Sequence, residues 1–188
     1  MTALEKRRYT EAEYLELERE SNIKHEFYGG EIFERAGCSE PHVLVAGNVG
    51  MRLGIQLLER PCKVYGSLMQ VKVRETGLHA YPDVSIVCGE SEFTSPARVT
   101  LLNPSVIVEV LSKFTQVTHK FRHYREMESL LEYVLISQYS VYVEHFTRQP
   151  DGFWRLESYE ALEDTFTLES IGCTLELGQI YWKVALEG

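Results

Sequence analysis

The sequence predicts a mixed α/β or α+β fold in which a mixed β-sheet is flanked by helices. Two observations predict it. Short, continuous apolar runs at residues 84–87 and 106–111 are typical of central strands that are buried on both faces. Between such runs, residues 43–57 and 115–127 carry apolar side chains at helical spacing. Strands interspersed with helices indicate a layered sheet rather than a helical bundle or an all-β sandwich.

The N-terminal part predicts a helix, a hairpin and a second helix. Thr10-Glu11-Ala12-Glu13 fits a capping box at a helix start. Residues 25–28 and 31–34 predict two strands joined by a turn at Gly29-Gly30. Ser39 is suited to cap the second helix. Small residues would let that helix pack closely on a sheet, and these are Ala46, Gly47, Gly50 and Gly54.

The remaining elements continue the mixed pattern. Strands are predicted at residues 63–65, 69–73, 84–87, 106–111 and 132–137, and a helix at residues 115–127. The last third predicts extra antiparallel strands at residues 141–146 and 153–159, joined by the turn Gln149-Pro150-Asp151-Gly152. Because no linker or internal repeat interrupts the chain, we expect one domain over residues 1–188.

Composition restricts the function and the location. The net charge of −9 argues against a protein that coats nucleic acid by bulk charge, but it allows an enzyme with a bound cation and one basic patch. No apolar run is long enough to span a bilayer, and the N-terminus does not resemble a signal peptide. The four cysteines form no C-x-x-C pair. We therefore expect reduced thiols in a cytoplasmic protein.

Two acids stand in strongly apolar surroundings. Asp83 precedes the run at residues 84–87, and Glu109 lies inside the run at residues 106–111. Burying a carboxylate without a partner costs free energy, and a second acid nearby adds repulsion unless a cation lies between them. The pair therefore suggests a site for a hard divalent cation such as Mg²⁺. The alternative is that Glu109 forms a salt bridge with Arg or Lys, or faces water on an edge strand.

A concentrated basic segment follows Glu109. It contains no acid, and its basic side chains are Lys113, His119, Lys120, Arg122, His123 and Arg125. Metal-binding acids beside basic side chains are what phosphodiester hydrolysis requires, because the cations offset the charge that develops on the phosphate. The alternative interpretation is an ordinary solvated helix face.

Several short motifs occur in a characteristic order along nearly the whole chain. They are Tyr9-Thr10 with Glu13-Tyr14, Lys24-His25-Glu26-Phe27 with Gly30-Glu31-Ile32, Ala36-Gly37-Cys38-Ser39 with His42, Pro82-Asp83, Val108-Glu109-Val110-Leu111-Ser112, Lys120-Phe121 with Tyr124, residues 131–137, and residues 170–175 with Tyr181. In order and spacing the chain resembles the Uma-two family, bacterial proteins assigned as restriction endonucleases within the PD-(D/E)XK nuclease superfamily.

The resemblance implies a restriction-endonuclease-like core. In that fold, Asp83 and Glu109 would stand on adjacent strands and share a divalent metal, with the main-chain carbonyl of Val110 as a further ligand. Glu26 matches a family acid that approaches the same site. The alternative for Glu26 is a surface ion pair with Lys24.

The superfamily places a lysine two residues after the glutamate, where this chain has Leu111. Lys120 is the candidate to replace that lysine, by orienting the attacking water or stabilising negative charge. Its alternative role is a phosphate contact or plain surface charge. The segment from Ser112 to Gln116 also lacks the aspartate that the family carries before this lysine.

The sequence therefore predicts an endonuclease that hydrolyses DNA phosphodiester bonds with Mg²⁺, for which Mn²⁺ would substitute. A homodimer is expected, since cutting two strands suits a two-fold assembly. One alternative is a catalytically degenerate protein of the same fold that binds nucleic acid or a protein partner without turnover. The other is a structural protein whose acids are only salt-bridged.

Overall fold

The computed structural model describes residues 7–35, 37–111 and 117–186, with the main chain alone described for residues 117–119. The helices of these residues are α1 (Glu11–Glu20), α2 (Glu40–Gln56), α3 (Val117–Tyr124) and α4 (Leu177–Ile180). Their strands are β1 (His25–Tyr28), β2 (Glu31–Glu34), β3 (Cys62–Gly66), β4 (Gln70–Val73), β5 (Leu78–Ala80), β6 (Val84–Cys88), β7 (Thr100–Leu101), β8 (Val106–Leu111), β9 (Glu132–Ser137), β10 (Val143–Arg148), β11 (Trp154–Tyr159), β12 (Thr165–Leu168) and β13 (Cys173–Glu176).

The centre of the fold is a mixed six-stranded sheet with the strand order β11-β10-β9-β8-β6-β3. Strands β8 and β9 run parallel, and the other neighbours pair antiparallel. The middle strands β6, β8 and β9 are buried over almost their whole length, as their apolar runs predict. A second sheet has the order β2-β1-β5-β4-β7, and β12 pairs with β13. The predicted mixed α+β class is confirmed.

Alternation along the central strands divides their side chains between two apolar layers. The first layer joins α2 to one face of the sheet, through residues that include Val45, Val49, Leu53, Val84 and Val108. The second layer joins the opposite face to the second sheet and to α3, through residues that include Val71, Ile107, Tyr124, Tyr133 and Leu135. Residue 109 alternates with residues 108 and 110, so Glu109 belongs to the face of this second layer.

The local signals in the N-terminal part predicted its elements well. Thr10 accepts a hydrogen bond from the Glu13 amide at 3.2 Å and its own N–H donates to the Glu13 carboxylate at 2.7 Å, which completes the capping box. Strands β1 and β2 have the predicted bounds, and Ser39 caps α2. The predicted start of the third helix at residue 115 lies outside the described residues, and α3 is described from Val117.

Other parts differ from the prediction. Strands β5, β7, β12 and β13 and helix α4 have no counterpart among the predicted elements. The small residues of α2 also act differently from one another. A methyl group added at Gly50 would lie 3.9 Å from Val84, whereas one added at Gly47 or Gly54 would meet nothing within 4 Å. Gly47, Gly50 and Gly54 all line an open cavity of about 580 Å³ between α2 and β3. Close packing on the sheet is therefore limited to part of the helix.

The prediction of reduced thiols is wrong for one pair. Cys62 of β3 and Cys88 of β6 occupy opposite positions on adjacent antiparallel strands and form a disulfide, with their Cα atoms 3.9 Å apart. Cys38 and Cys173 are free thiols. Spacing along the sequence could not reveal the pair, because it depends on strand register. The cytoplasmic location, which rested in part on reduced cysteines, stays a prediction.

The helices of the described residues include none that combines the length and the apolar character needed to cross a bilayer. The longest of them, α2, spans 17 residues and carries several glycines.

Candidate active site

The register of the central sheet brings the two predicted metal-binding acids together. In the antiparallel pairing of β6 with β8, Val84 lies opposite Val108. Asp83 comes immediately before β6, one position beyond the paired residues, and its Oδ2 atom accepts a hydrogen bond from the N–H of Val110, the residue after Glu109. The two acids are near enough for the charge of Asp83 to contribute to the raised pKa of Glu109. Both carboxylates are buried, with 3% of each residue exposed.

Asp83 accepts hydrogen bonds from three different parts of the chain. Its Oδ1 atom accepts from Arg35 at 2.8 Å and from His42 Nε2 at 2.9 Å, and its Oδ2 atom accepts from the Val110 N–H at 2.8 Å. Burial opposes ionisation of this carboxyl, but the hydrogen bond and charge of His42, the Val110 N–H and the charge of Arg35 together outweigh burial. The pKa of Asp83 is therefore lowered from its ordinary value.

Glu109 is held from α3. Tyr124 donates its hydroxyl to Glu109 Oε1 at 3.1 Å, and Lys120 Nζ lies 3.4 Å from the same atom. Burial is the main cause that raises the pKa of Glu109 to about 7. Lys120 opposes this increase, whereas the charges of Asp83 and Glu26 add to it. Glu109 therefore holds its proton more tightly than an exposed glutamate does.

Lys120 bridges two acids from different sheets. Its Nζ atom donates to Glu26 Oε1 at 2.7 Å as well as lying near Glu109. The N–H of Tyr81 also donates to Glu26 Oε1, at 3.3 Å. Burial would lower the pKa of Lys120, but the charges of Glu109 and Glu26 outweigh it, and the pKa is raised. Lys120 is therefore an ammonium group at neutral pH.

The structure thus places the predicted residues Glu26, Asp83, Glu109 and Lys120 in one cluster. Glu26 pairs with Lys120, whereas the alternative partner of Glu26, Lys24, lies 3.7 Å from Glu18. Val110 meets the cluster through its main-chain N–H, and its carbonyl as a metal ligand stays a prediction. Each acid also has a basic partner, which is the arrangement that the salt-bridge alternative describes.

The basic segment contributes unequally to this cluster. Lys113 and the side chain of His119 lie outside the described residues. Lys120 points into the acid cluster, and His123 is buried with its ring 4.2 Å from the ring of Tyr28. Arg122 and Arg125 are exposed. Only part of the predicted patch is therefore a basic surface.

Three residues of the cluster received no role from the sequence. Arg35 follows β2, His42 lies in the first turn of α2, and Tyr124 ends α3. His42 and Tyr124 belong to motifs of the family pattern, which was the one available signal. Arg35 and His42 stand 48 and 41 positions from Asp83, so only the tertiary fold brings them to it.

The carboxylate oxygens of the cluster are the candidate ligands for a divalent cation. Among the described residues, no group of three or more His, Cys, Asp or Glu side chains is arranged to hold a metal ion. In the same part of the chain, the hydrogen bonds to Glu26 and Glu109 go to Oε1 of each side chain. Among the described residues, none donates a hydrogen bond to the second oxygen of either carboxylate. Hard carboxylate oxygens of this kind fit Mg²⁺, which typically uses one or two carboxylates and several waters.

Comparison with known proteins identifies the family. The sequence profile of the Uma2 family, described as "Putative restriction endonuclease", matches residues 11–178. This chain belongs to the Uma2 family. The resemblance found in the sequence motifs is confirmed. Two similar proteins come from Synechocystis. Uncharacterized protein sll1609 is 35% identical over 150 residues, which cover 78% of this chain and 85% of the relative. Uncharacterized protein slr1290 is 30% identical over 176 residues, which cover 92% and 91%.

A solved structure supports the fold of this Uma2 protein. A crystal structure described as "a putative nuclease belonging to DUF820", from Anabaena variabilis, superposes with a TM-score of 0.74. The superposition covers 90% of this chain and 96% of the other, at 14% sequence identity. The predicted restriction-endonuclease-like fold is thereby confirmed. At this identity the likeness concerns the fold and assigns no role to any residue.

Proposed function

We propose that this Uma2 protein is a metal-dependent endonuclease that hydrolyses DNA phosphodiester bonds. The observation that carries the proposal is the proximity of Asp83, just before β6, to Glu109 of β8, with the Lys120 ammonium 3.4 Å from Glu109. Buried acids that share one site are costly to keep ionised together, and a divalent cation beside their basic partners would offset that cost. Membership of the Uma2 family and the nuclease description of the structural neighbour support the same conclusion.

The proton on Glu109 is the charge that a cation would replace. Burial is the main cause that raises the pKa of Glu109 to about 7, so this carboxyl keeps its proton up to near neutral pH. Asp83 and Glu26 instead face the permanent positive charges of Arg35 and Lys120. A divalent cation would replace the proton of Glu109, since ligand carboxylates must be ionised.

In this proposal Asp83 and Glu109 would hold Mg²⁺ or Mn²⁺, with the Val110 carbonyl as a further ligand. When bound, the cation would polarise the phosphate and lower the pKa of a water molecule. Lys120 remains charged at neutral pH, so it would stabilise negative charge on the phosphoryl oxygens rather than accept a proton. Glu26 would keep Lys120 in place, and Tyr124 would orient Glu109 through its hydroxyl.

A cleavage assay tests the proposal. Purified protein is incubated with Mg²⁺ or Mn²⁺ and single-stranded, duplex or branched DNA, with RNA of matched sequence in parallel. We expect DNA cleavage that EDTA abolishes, and that Asp83→Asn or Glu109→Gln reduces by a factor of roughly a hundred or more. Glu59→Gln, the same type of change at an exposed position, serves as the control. Metal-dependent cleavage that persists undiminished in the folded Asp83→Asn protein would rule out this site.

The second candidate is a DNA-binding protein of the same fold without turnover. Two observations favour it: Leu111 replaces the lysine of the superfamily, and both oxygens of Asp83 already accept hydrogen bonds from protein groups. Retention of labelled duplex DNA without cleavage under any metal condition would support this candidate. The two candidates differ in turnover and share the fold.

The proposed partners are DNA and a second copy of the chain. Because the net charge is −9, DNA binding would depend on local cations such as the exposed Arg122 and Arg125. Light scattering coupled to size exclusion, with and without duplex DNA, tests the proposed homodimer. A monomer in both conditions would remove the dimer from the proposal.

A further inference from the structure

His42 connects a rigid helix to the acid that stands just outside its strand. It lies in the first turn of α2, 7% exposed, and its Nε2 atom is 2.9 Å from Asp83 Oδ1. A carboxylate can only accept a hydrogen bond, so Nε2 must carry the hydrogen. In the described part of the chain, the other ring nitrogen, Nδ1, is buried and has no hydrogen-bond partner.

The position of α2 is fixed independently of His42. Val45, Val49 and Leu53 lie in the apolar layer between α2 and the central sheet and are fully buried. On the same helix, the Asn48 side chain donates to the main-chain carbonyls of Ile180 and Trp182, both at 2.9 Å. The imidazole is therefore held by a rigid helix. Its hydrogen bond fixes Asp83, which lies just outside the paired residues of β6.

His42 and Arg35 contact the same oxygen of Asp83 but differ in what they contribute. Arg35 brings a permanent positive charge, which opposes binding of a cation by Asp83, and its guanidinium also donates to the Ser67 carbonyl at 2.8 Å. His42 also lowers the pKa of Asp83, and it brings in addition an N–H group whose direction is set by α2. Hydrogen-bond donors that the protein holds in a fixed direction orient a metal-binding carboxylate. Their loss typically weakens metal affinity roughly 10- to 100-fold.

We propose that His42 is a positioning residue that fixes the Asp83 carboxylate for a divalent cation and thereby sets the affinity of the site. This inference rests on the proposed function, because it requires Asp83 to be a metal ligand. His42 contacts neither the cation nor the substrate in this account. Its effect is transmitted through one hydrogen bond, and it is measurable without catalysis.

The test measures Mn²⁺ binding directly in the absence of DNA, with electron paramagnetic resonance of the free ion as the readout. We expect His42→Leu to raise the Kd for Mn²⁺ roughly 10- to 100-fold. His42→Gln keeps an N–H donor at similar reach and should recover most of the affinity. Gln56→Leu is the matched control, because it removes hydrogen bonds to the Thr174 main chain at the far end of the same helix without touching Asp83. We expect it to lower the thermal stability and leave the Kd unchanged.

The outcomes separate the two proposals. Equal Mn²⁺ affinity in the wild type and in folded His42→Leu would overturn the role of His42 and leave the metal site intact. Affinity in His42→Gln as weak as in His42→Leu would overturn it as well. An absence of Mn²⁺ binding by the wild type would overturn both the metal site and this inference. If His42→Leu does not fold, His42→Asn takes its place, because its shorter amide removes the donor from Asp83.

Discussion

Replacing Glu109 by glutamine should change how the stability of the protein depends on pH. Burial, together with the charges of Asp83 and Glu26, raises the pKa of Glu109 from 4.5 to about 7. Each pH unit between these two values corresponds to ~1.4 kcal/mol of unfolding free energy. The gap of about 2.5 pH units therefore makes the ionised side chain cost the folded state about 3 kcal/mol above neutral pH.

The sign follows from proton binding. Between pH 4.5 and about pH 7 the folded protein keeps a proton on Glu109 that the unfolded chain releases. The contribution of Glu109 to stability is therefore complete below pH 4.5 and is lost as the pH rises through about 7. Glutamine cannot ionise, so the Glu109→Gln variant lacks this decrease.

The assay is urea unfolding in the presence of EDTA, monitored by tryptophan fluorescence, at intervals from about pH 4 to about pH 8. Relative to the wild type, Glu109→Gln should gain about 3 kcal/mol across this range. Glu59→Gln should follow the wild-type curve, because that side chain is exposed. Parallel curves for the wild type and Glu109→Gln would refute the reasoning, since they would mean that folding does not perturb Glu109.

Three further predictions follow from the same contacts. Lys120→Met leaves the buried Glu109 and the half-buried Glu26 without their shared cation, so urea unfolding should show a loss of about 3 kcal/mol at neutral pH, and a loss near zero would contradict the ion pairs. Tyr124→Phe removes one donor from Glu109 and should cost about 2 kcal/mol in the same assay, and wild-type stability would show that the hydrogen bond contributes nothing. The Cys62–Cys88 bridge predicts that two of the four cysteines react with Ellman's reagent in denaturant. The double variant Cys62→Ser with Cys88→Ser should lose about 3 kcal/mol of unfolding free energy. Four reactive thiols in unreduced protein would exclude the bridge.

The sequence predicted elements whose signals are local. The bounds of β1 and β2 followed from Gly29-Gly30, which adopt the positive φ angles of 58° and 83° that a tight hairpin turn needs. The burial of β6, β8 and β9 followed from their apolar runs. The alternation in β12 and β13 was also present, because Phe166 and Leu168 are buried between more exposed neighbours.

The site was predictable in part for a physical reason. Asp83 and Glu109 could be predicted as site residues because acids are costly inside apolar strands, and this cost can be estimated from neighbouring residues alone. Their basic partners could not be found in the same way. Arg35 and His42 lie in ordinary polar surroundings in the sequence. They become partners of Asp83 only when α2 and β2 fold beside it. The disulfide likewise depended on strand register.

The most direct test of the account is a crystal of the protein soaked in Mn²⁺, with anomalous diffraction collected at the manganese edge. The account predicts one strong peak at ligand distance, about 2–2.5 Å, from both the Asp83 and the Glu109 carboxylates. It also predicts that Lys120 stays beside Glu26. A well-ordered, fully soaked crystal with no peak between the two acids, and with Arg35 and Lys120 still paired to them, would contradict the shared metal site.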